Sequence, residues 1–405
     1  MKKSLFALAA LGAFAGAASA QSSVTLYGAF DVSGAYISNA GVDTNASSAN
    51  RNVTSATVTP STAGTNLSLV DGAFTTSLWG MKGVEDIGGG MKAMFEAESD
   101  ILANNGTSHN SGMFRRAANV GLSGGFGSIY LGLKGNPLTA ASGSALPVEG
   151  NTVHSVRSTI GYNTADYIKN GFQYESPNLG GFVARLAYGA SNTIGDSGDG
   201  TIVAASAIYT MGNARVHAAY NKATAGNVAT VTGGTTTDFS SAAQTGLYDQ
   251  MGWVAGAKYA MGAFSIGAQF AHGEQTQYNT LGSSAVKATA NANATMIGLG
   301  YQASPALLLG ANYIVTTADS TMSNLQAHYA LSKRTTVYAQ GTMTKNGAGA
   351  WSDGTAYGNF MPINTNSSTT VKNIGGYGLV SGGTFSGGMP NTSATAVNVG
   401  IIHKF

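Results

Sequence analysis

Residues 397–405 read VNVGIIHKF, a stretch in which apolar side chains recur at every second position. This period of two is typical of a β-strand, because successive side chains of a strand point to opposite faces of a sheet. The same period returns at 24–33, 182–188, 264–270 and 307–315. A tilted strand of about ten residues is long enough to cross a bilayer.

The connections between these segments differ in length in an orderly way. Brief turns are predicted at 85–90, 124–127, 177–180, 212–213, 261–262, 304–306 and 332–334. Long stretches rich in Asn, Ser, Thr and Gly are predicted to be loops at 38–70, 135–166, 223–249, 274–290 and 346–392. Short turns at one end and long loops at the other are the layout of an outer-membrane barrel. Counting the intervening segments predicts an all-β fold, a closed antiparallel barrel of sixteen strands.

Composition excludes several other classes of protein. Only 9% of residues are charged, against about 25% in ordinary soluble domains, and there is no Cys for a thiolate metal site. Beyond the N-terminus no apolar run approaches the length of a membrane-spanning helix. Without Lys2 and Lys3 the chain has 20 − 2 = 18 basic and 18 acidic residues, so a nucleic-acid partner is not expected.

The N-terminus has the features of a secretory signal peptide. Lys2 and Lys3 precede an uncharged apolar run, and Ala18-Ser19-Ala20 offers small residues for cleavage. We therefore expect residues 1–20 to be removed and residues 21–405 to form a single barrel domain.

Several short motifs stand in order along the chain: SVTLYG at 23–28, GVEDIGGG at 83–90, VGLSGGFG at 120–127, YESPNLGGF at 174–182 and the terminal Phe405. Together they resemble the Gram-negative general porins, particularly their betaproteobacterial branch. Each motif has modest specificity, but their order and spacing cover essentially the whole mature chain.

This resemblance implies a function and a set of partners. It implies a homotrimer in the cell outer membrane, surrounded by lipid and lipopolysaccharide, that lets small hydrophilic solutes and ions diffuse through a water-filled channel. The family's third loop, which corresponds here to the long loop at 135–166, would fold inward to narrow the pore. Phe405 would be the assembly signal that the barrel-assembly machinery reads.

The sequence also departs from the family pattern. Where the family commonly has Arg in the second and fifth strands, this chain has Leu78 and Leu133. Arg116 matches a family Arg, yet strict alternation places it on the apolar face with Val120 unless a bulge intervenes. Strict alternation makes Arg115 the lumen-facing residue.

Alternation also sorts the charges and favours a positively biased lumen. Opposite the apolar faces lie the acids Asp31, Glu96 and Glu98, and the basic residues Lys82, Lys92, Arg115, Lys134, Arg185, Arg215, Lys258 and Lys404. The inward loop carries one acid before Asp166, namely Glu149, and also Arg157. We predict a constriction in which Arg115, Arg116 and Lys134 face Glu149, with a mild anion preference because two family arginines are missing.

Rival functions find little support. A serine hydrolase needs Ser, His and an acid in mutual reach, but no G-x-S-x-G stands at a strand-to-helix turn and no H-E-x-x-H occurs. We therefore expect no enzyme activity, no cofactor and no metal site. A substrate-selective channel remains the main alternative, and a barrel enzyme or an adhesin would need a plugged barrel.

Overall fold

The fold was analysed in a computed structural model of the chain. The structure describes residues 23–41, 63–108, 112–148, 156, 166–191, 200–224, 247–281, 284–317, 319–345, 363–366, 370–373 and 393–405. The proposed signal peptide, residues 1–20, lies outside these ranges, so the division into signal and barrel stays a prediction.

The described chain is almost entirely β-structure. The one helix among the described residues, α1, covers Pro137–Ser142. The strands are β1 Ser23–Gly41, β2 Ala63–Asp71, β3 Leu78–Gly88, β4 Met91–Leu102, β5 Thr107–Ser108, β6 Ala117–Gly124, β7 Gly127–Gly135, β8 Tyr167–Glu175, β9 Phe182–Gly189, β10 Ile202–Met211, β11 Ala214–Ala223, β12 Leu247–Met261, β13 Phe264–Leu281, β14 Ser284–Gln302, β15 Leu307–Thr316, β16 Thr321–Ala330, β17 Thr335–Lys345, β18 Ile363–Asn366, β19 Thr370–Asn373 and β20 Ser393–Lys404. No described helix is long and apolar enough to cross a membrane.

These strands form a closed antiparallel barrel with sixteen positions. Neighbours in sequence pair in turn from β3 to β17, and β20 pairs with both β17 and β1. β2 and β3 share one position, because β3 pairs with the first part of β1 and β2 with its second part. β5 extends the hairpin of β4, and β18 with β19 forms a separate two-stranded sheet. The predicted strand number and closure are confirmed.

The two faces of the barrel wall differ in exposure. Apolar side chains such as Leu26, Leu325 and Val399 are exposed, whereas the alternate positions, such as Asn324 and Asn398, are buried. We call these the outer face and the inner face. An apolar outer face suits contact with lipid hydrocarbon, and the alternation with polar residues is the pattern of a membrane barrel.

Two predicted loops were wrong in part. Residues 63–70 were expected to belong to a loop at 38–70, but β2 covers Ala63–Asp71 and pairs with β1. Residues 274–290 were expected to be a long loop, but β13 and β14 stay paired from Phe264–Tyr301 to Leu281–Ser284, leaving two residues between them. The polar composition that suggested a loop therefore belongs to a long hairpin, where backbone pairing does not require apolar side chains once the strands extend beyond the apolar band.

The third long loop does fold into the barrel, which confirms that prediction for residues 136–148, hereafter the inner segment. Asn136 accepts a hydrogen bond from the Leu138 amide at 2.9 Å and so caps α1, which Pro137 begins. Helix α1 packs against β9 to β12. The segment buries Leu138, Ala141 and Leu146 in a cluster with inner-face residues, which are Ala219, Val254, Ala271, Ala294, Met296, Ile314 and Met322.

The two ends of the barrel chain meet at Phe405. Its amide donates to the Gly28 carbonyl at 3.0 Å, the Gly28 amide donates back at 3.2 Å, and its ring lies 5.9 Å from that of Phe30. A Cβ at Gly28 would collide with the Phe405 ring. The last residue therefore completes the closing strand pair and fills the space that Gly28 leaves.

Deletion of Phe405 should lower the yield of folded barrel, because it removes two closing hydrogen bonds and a ring contact of about 1 kcal/mol. Folded yield can be measured in detergent by heat-modifiable electrophoresis. Phe264→Ala is a matched control, since its ring stacks on Tyr301 at 4.6 Å away from the closing pair. Equal yields of the two variants would contradict a special role for Phe405.

Candidate pore constriction

Three carboxylates line one strand of the inner face. Glu96, Glu98 and Asp100 occupy every second position of β4, so they point to the same side of the wall. Glu98 lies opposite Ala117 of β6, whose neighbours Arg115 and Arg116 precede that strand. Asp100 is buried, whereas Glu96 and Glu98 are half-buried.

Both arginines bind this row of carboxylates. Arg116 Nε donates to Glu98 Oε1 at 2.6 Å, and Arg115 Nε donates to Asp100 Oδ2 at 2.7 Å. Strict alternation had assigned only Arg115 to the lumen side, but β6 begins at Ala117, so the alternation does not extend to residues 115 and 116. Arg116 therefore lies on the inner side without a bulge within the strand.

Lys134 binds the third carboxylate. Its Nζ lies 2.9 Å from Glu96 Oε2. The pairing of β7 with β8 shifts register between Gly132 and Lys134, and Gly132 has a positive φ of 121° that favours glycine. Leu133, at the position of a family arginine, lies opposite the exposed Ala118. Lys134 thus supplies the inner-face cation in this strand.

Each of three cations also lies over a tyrosine ring. Arg116 is 5.5 Å from the centre of the Tyr167 ring, and Lys134 is 4.1 Å from that of Tyr130. Lys82 lies 5.0 Å from the ring centre of Tyr27, whose hydroxyl donates to Glu98 at 3.0 Å. Cation–π contacts and ion pairs together fix these long side chains against the wall. We call these charged residues and tyrosines the charged panel. Its members are Lys82, Arg115, Arg116, Lys134, Glu96, Glu98, Asp100, Tyr27, Tyr130 and Tyr167.

A second group of charges follows further around the wall. Arg185 binds Glu175 at 2.6 Å, so this predicted lumen cation is also ion-paired. Arg215 and Lys258 lie directly opposite each other on β11 and β12, in register with Gly267 of β13. Because Gly267 lies under the inner segment, Arg215 and Lys258 belong to the inner face.

Asp31 has a different role from the one predicted. It lies on the inner face of β1, but it is fully buried and accepts hydrogen bonds from Phe74, Thr75 and Tyr338. It therefore contributes no solvated charge to a pore. Glu149 and Arg157 lie outside the described residues, so their place opposite the cations stays a prediction.

Sequence reasoning missed several members of this site. Asp100 follows Glu98 by two residues, and the alternation that selected Glu96 and Glu98 would also have selected it. Glu175, the last residue of β8, was not among the predicted lumen charges, and it lies directly opposite Arg185. The tyrosines gave no such signal, because their role depends on which cation the fold places above each ring.

Glycines make room for the inner segment on the facing wall. A Cβ at Gly267 would collide with the Ala145 carbonyl oxygen, and a Cβ at Gly298 would collide with Pro147. The segment therefore lies directly on the backbone of β13 and β14. Gln269 Nε2 also donates to the Ser142 carbonyl, which holds the segment at the end of α1.

Gly298→Val should push Pro147 away from the wall and lower single-channel conductance, because overpacking at a close contact costs about 1–3 kcal/mol unless a neighbour moves. Planar-bilayer recording would measure the single-channel conductance. Gly34→Val is the matched control, since nothing lies within 4 Å of a Cβ at that strand position. A conductance in Gly298→Val equal to that of the control would show that the segment does not border the current path.

A closed barrel with a lipid-suited outer face, a charged panel inside and a segment folded across its interior is a pore-type outer-membrane β-barrel. The comparisons with known proteins agree with this class. A profile of the Gram-negative porin family matches residues 7–349. The chain therefore belongs to the Gram-negative porin family.

Individual relatives come from betaproteobacteria. The chain is 33% identical over 195 residues to an outer membrane porin protein of Bordetella pertussis, covering 47% of this chain and 49% of that protein. It is 31% identical over 269 residues to outer membrane porin protein 32 of Delftia acidovorans, covering 62% and 70%. The alignment thus spans about half the length of the first relative and more of the second.

Solved structures share the fold. The anion-selective porin from Comamonas acidovorans superposes with a TM-score of 0.66 at 21% identity, covering 95% of this chain and all of that one. The outer-membrane expressed OmpT of Vibrio cholerae gives a TM-score of 0.60 at 14% identity, covering 95% and 98%. These likenesses establish the barrel architecture, and the outer membrane is the location consistent with it.

Proposed function

We propose that the protein forms a water-filled channel in the outer membrane through which small hydrophilic solutes and ions diffuse passively. The observation that carries the proposal is the inner segment, which crosses one side of a closed barrel while the charged panel lines another. This arrangement supplies a wet path with a narrowed section, as a diffusion pore needs. We propose a homotrimer, in accordance with the family resemblance.

Ion pairing in the charged panel changes the predicted origin of selectivity. Arg115, Arg116 and Lys134 are each bound to a β4 carboxylate, so the panel is close to neutral rather than a cationic wall. Ordered opposite charges still create strong local fields that orient dipolar solutes, and these fields weaken as salt screens them. The panel alone therefore gives little net preference for either sign of ion.

We propose that Arg215 and Lys258 contribute to the mild anion preference. These two like charges face each other across neighbouring inner-face positions, so their potentials add. The Comamonas acidovorans protein of the same fold is named as anion-selective, which supports the direction of the preference.

We propose no enzymatic activity for this barrel. The inner-face histidines are buried and bonded to amides: His217 to Gln269 at 3.2 Å and His328 to Gln326 at 3.1 Å. These partners hold the imidazoles in the wall, whereas a hydrolase needs its histidine placed between a nucleophile and an acid.

Neutralising the cations of the charged panel and neutralising its carboxylates should shift the ion selectivity in opposite directions. Replacing Arg115, Arg116 and Lys134 by Gln removes the positive charges that balance three carboxylates, so the reversal potential in a salt gradient should shift toward cations. Replacing Glu96, Glu98 and Asp100 by their amides should shift it toward anions. Planar-bilayer recording at low and high salt measures both, and the shifts should shrink at high salt.

The six-fold variant that neutralises both these cations and these carboxylates is the matched control. Its selectivity should stay close to that of the wild type, since equal numbers of each sign are removed. Adding Arg215→Gln and Lys258→Gln to it should shift the reversal potential further toward cations. An unchanged reversal potential in the cation-neutral triple variant would refute the assignment of the panel to the current path, and absence of channels in the wild type would refute the function.

A further inference from the structure

The inner segment ends at a second inward-folded part of the chain. Residues 72–77, between β2 and β3, do not continue the strand but turn onto the inner face, where Ala73 and Phe74 are buried. We call them the β2–β3 bend. Phe74 belongs to one buried cluster with Val148, the last described residue of the inner segment before a gap, and with Tyr338 of β17.

Asp31 holds this bend from beneath. Its Oδ2 accepts the amides of Phe74 at 2.8 Å and Thr75 at 2.7 Å. Its carbonyl oxygen accepts the Gly72 amide at 2.8 Å, and its own amide donates to Ser77 Oγ at 2.9 Å. One residue of β1 therefore bonds both ends and the centre of the bend.

The remaining oxygen of Asp31 connects the bend to β17, which is separated from β1 by β20 alone. Tyr338 donates its hydroxyl to Asp31 Oδ1 at 2.6 Å, and Gln340 Nε2 donates to the Ala73 carbonyl at 3.0 Å. A buried carboxylate is tolerated only when hydrogen bonds replace the lost water, and Asp31 has three donors on its side chain. The hydrogen bonds of the Asp31 carboxylate therefore fix the position of the bend relative to β17.

Packed aromatic side chains connect the bend to the inner segment. The Phe74 ring lies 4.4 Å from His328, which stacks on Tyr338 at 5.6 Å. A Cβ at Gly310 would collide with Val148, so Val148 lies directly on β15 beside this aromatic group. Val148 is therefore in contact with the β15 backbone and belongs to the same buried cluster as Phe74 and Tyr338.

We propose that Asp31 is a positioning residue for the constriction, which it sets by holding the β2–β3 bend so that Phe74 retains the far end of the inner segment. The near end is held separately, by the Gln269 bond to the Ser142 carbonyl. The segment is thus fixed at two places, and Asp31 controls the second. This proposal rests on the proposed channel function for its effect on current, but not for its effect on the segment.

The first test measures the segment without using current. Hydrogen–deuterium exchange of the Ser144 and Leu146 amides, which bond to Ala141 and Gly143, reports the stability of the segment. We expect Phe74→Ala and Asp31→Ala to speed this exchange by about tenfold, the effect of one or two lost buried interactions. Asp31→Asn, which keeps an acceptor for the amides, should stay closer to the wild type.

The second test measures current in the same variants. Phe74→Ala and Val148→Ala should each raise open-channel noise and alter conductance, and the effects of the two substitutions should be less than additive in the double variant, because both residues belong to one buried cluster. Phe95→Ala, an outer-face aromatic substitution, is the control and should change neither readout.

The outcomes separate the two proposals. Wild-type exchange in both Phe74→Ala and Val148→Ala would overturn the positioning role, even if channels are recorded normally. Faster exchange in a protein that forms no channels would support the positioning role and refute the channel. If Asp31→Ala fails to fold, Tyr338→Phe and Phe74→Ala decide the matter, since each removes one connection and leaves the carboxylate in place.

Discussion

The need to bond every backbone N–H and C=O group within hydrocarbon is the constraint on which this structure depends. No water in the lipid core replaces a missing partner, so a sheet that crosses the membrane must close on itself. Closure here is made between β1 and β20 and ends at the mutual hydrogen bonds of Gly28 and Phe405. Sixteen positions give a lumen wide enough to hold further chain, which the inner segment and the β2–β3 bend occupy.

Closure also explains why the two faces follow different rules. The outer face needs only to be apolar, and large exposed residues such as Leu26 and Val399 satisfy it with little demand for precise fit. The inner face has to accommodate both water and folded chain. It therefore carries ion-paired charges beside β4 and small or apolar residues beneath α1. The asymmetry of the lumen arises from this division and not from the sheet itself.

The sequence predicts the barrel well, because strand alternation and turn chemistry are local properties. The turns lie at 89–90, 125–126 and 212–213, within the predicted 85–90, 124–127 and 212–213, and the closure at Phe405 was also inferred from the sequence. The site was predicted in part. The alternation of side chains along a strand identifies the inner-face residues. It does not show that Arg116 binds Glu98, nor that Phe74 and Tyr338 shield Asp31 from water. Such contacts join residues up to 307 positions apart, and only the register of distant strands brings them together.

The apolar patch under the inner segment has a consequence for barrels engineered from this chain. Val254, Met296, Ile314 and Met322 lie on the inner face and are buried in one cluster with Leu138, Ala141, Leu146 and Val156. Removing the inner segment would not simply widen the aqueous path. An exposed apolar surface in a narrow channel favours dewetting and attracts amphiphilic molecules. Water structure, and not width alone, would then govern how freely ions cross such a shortened protein.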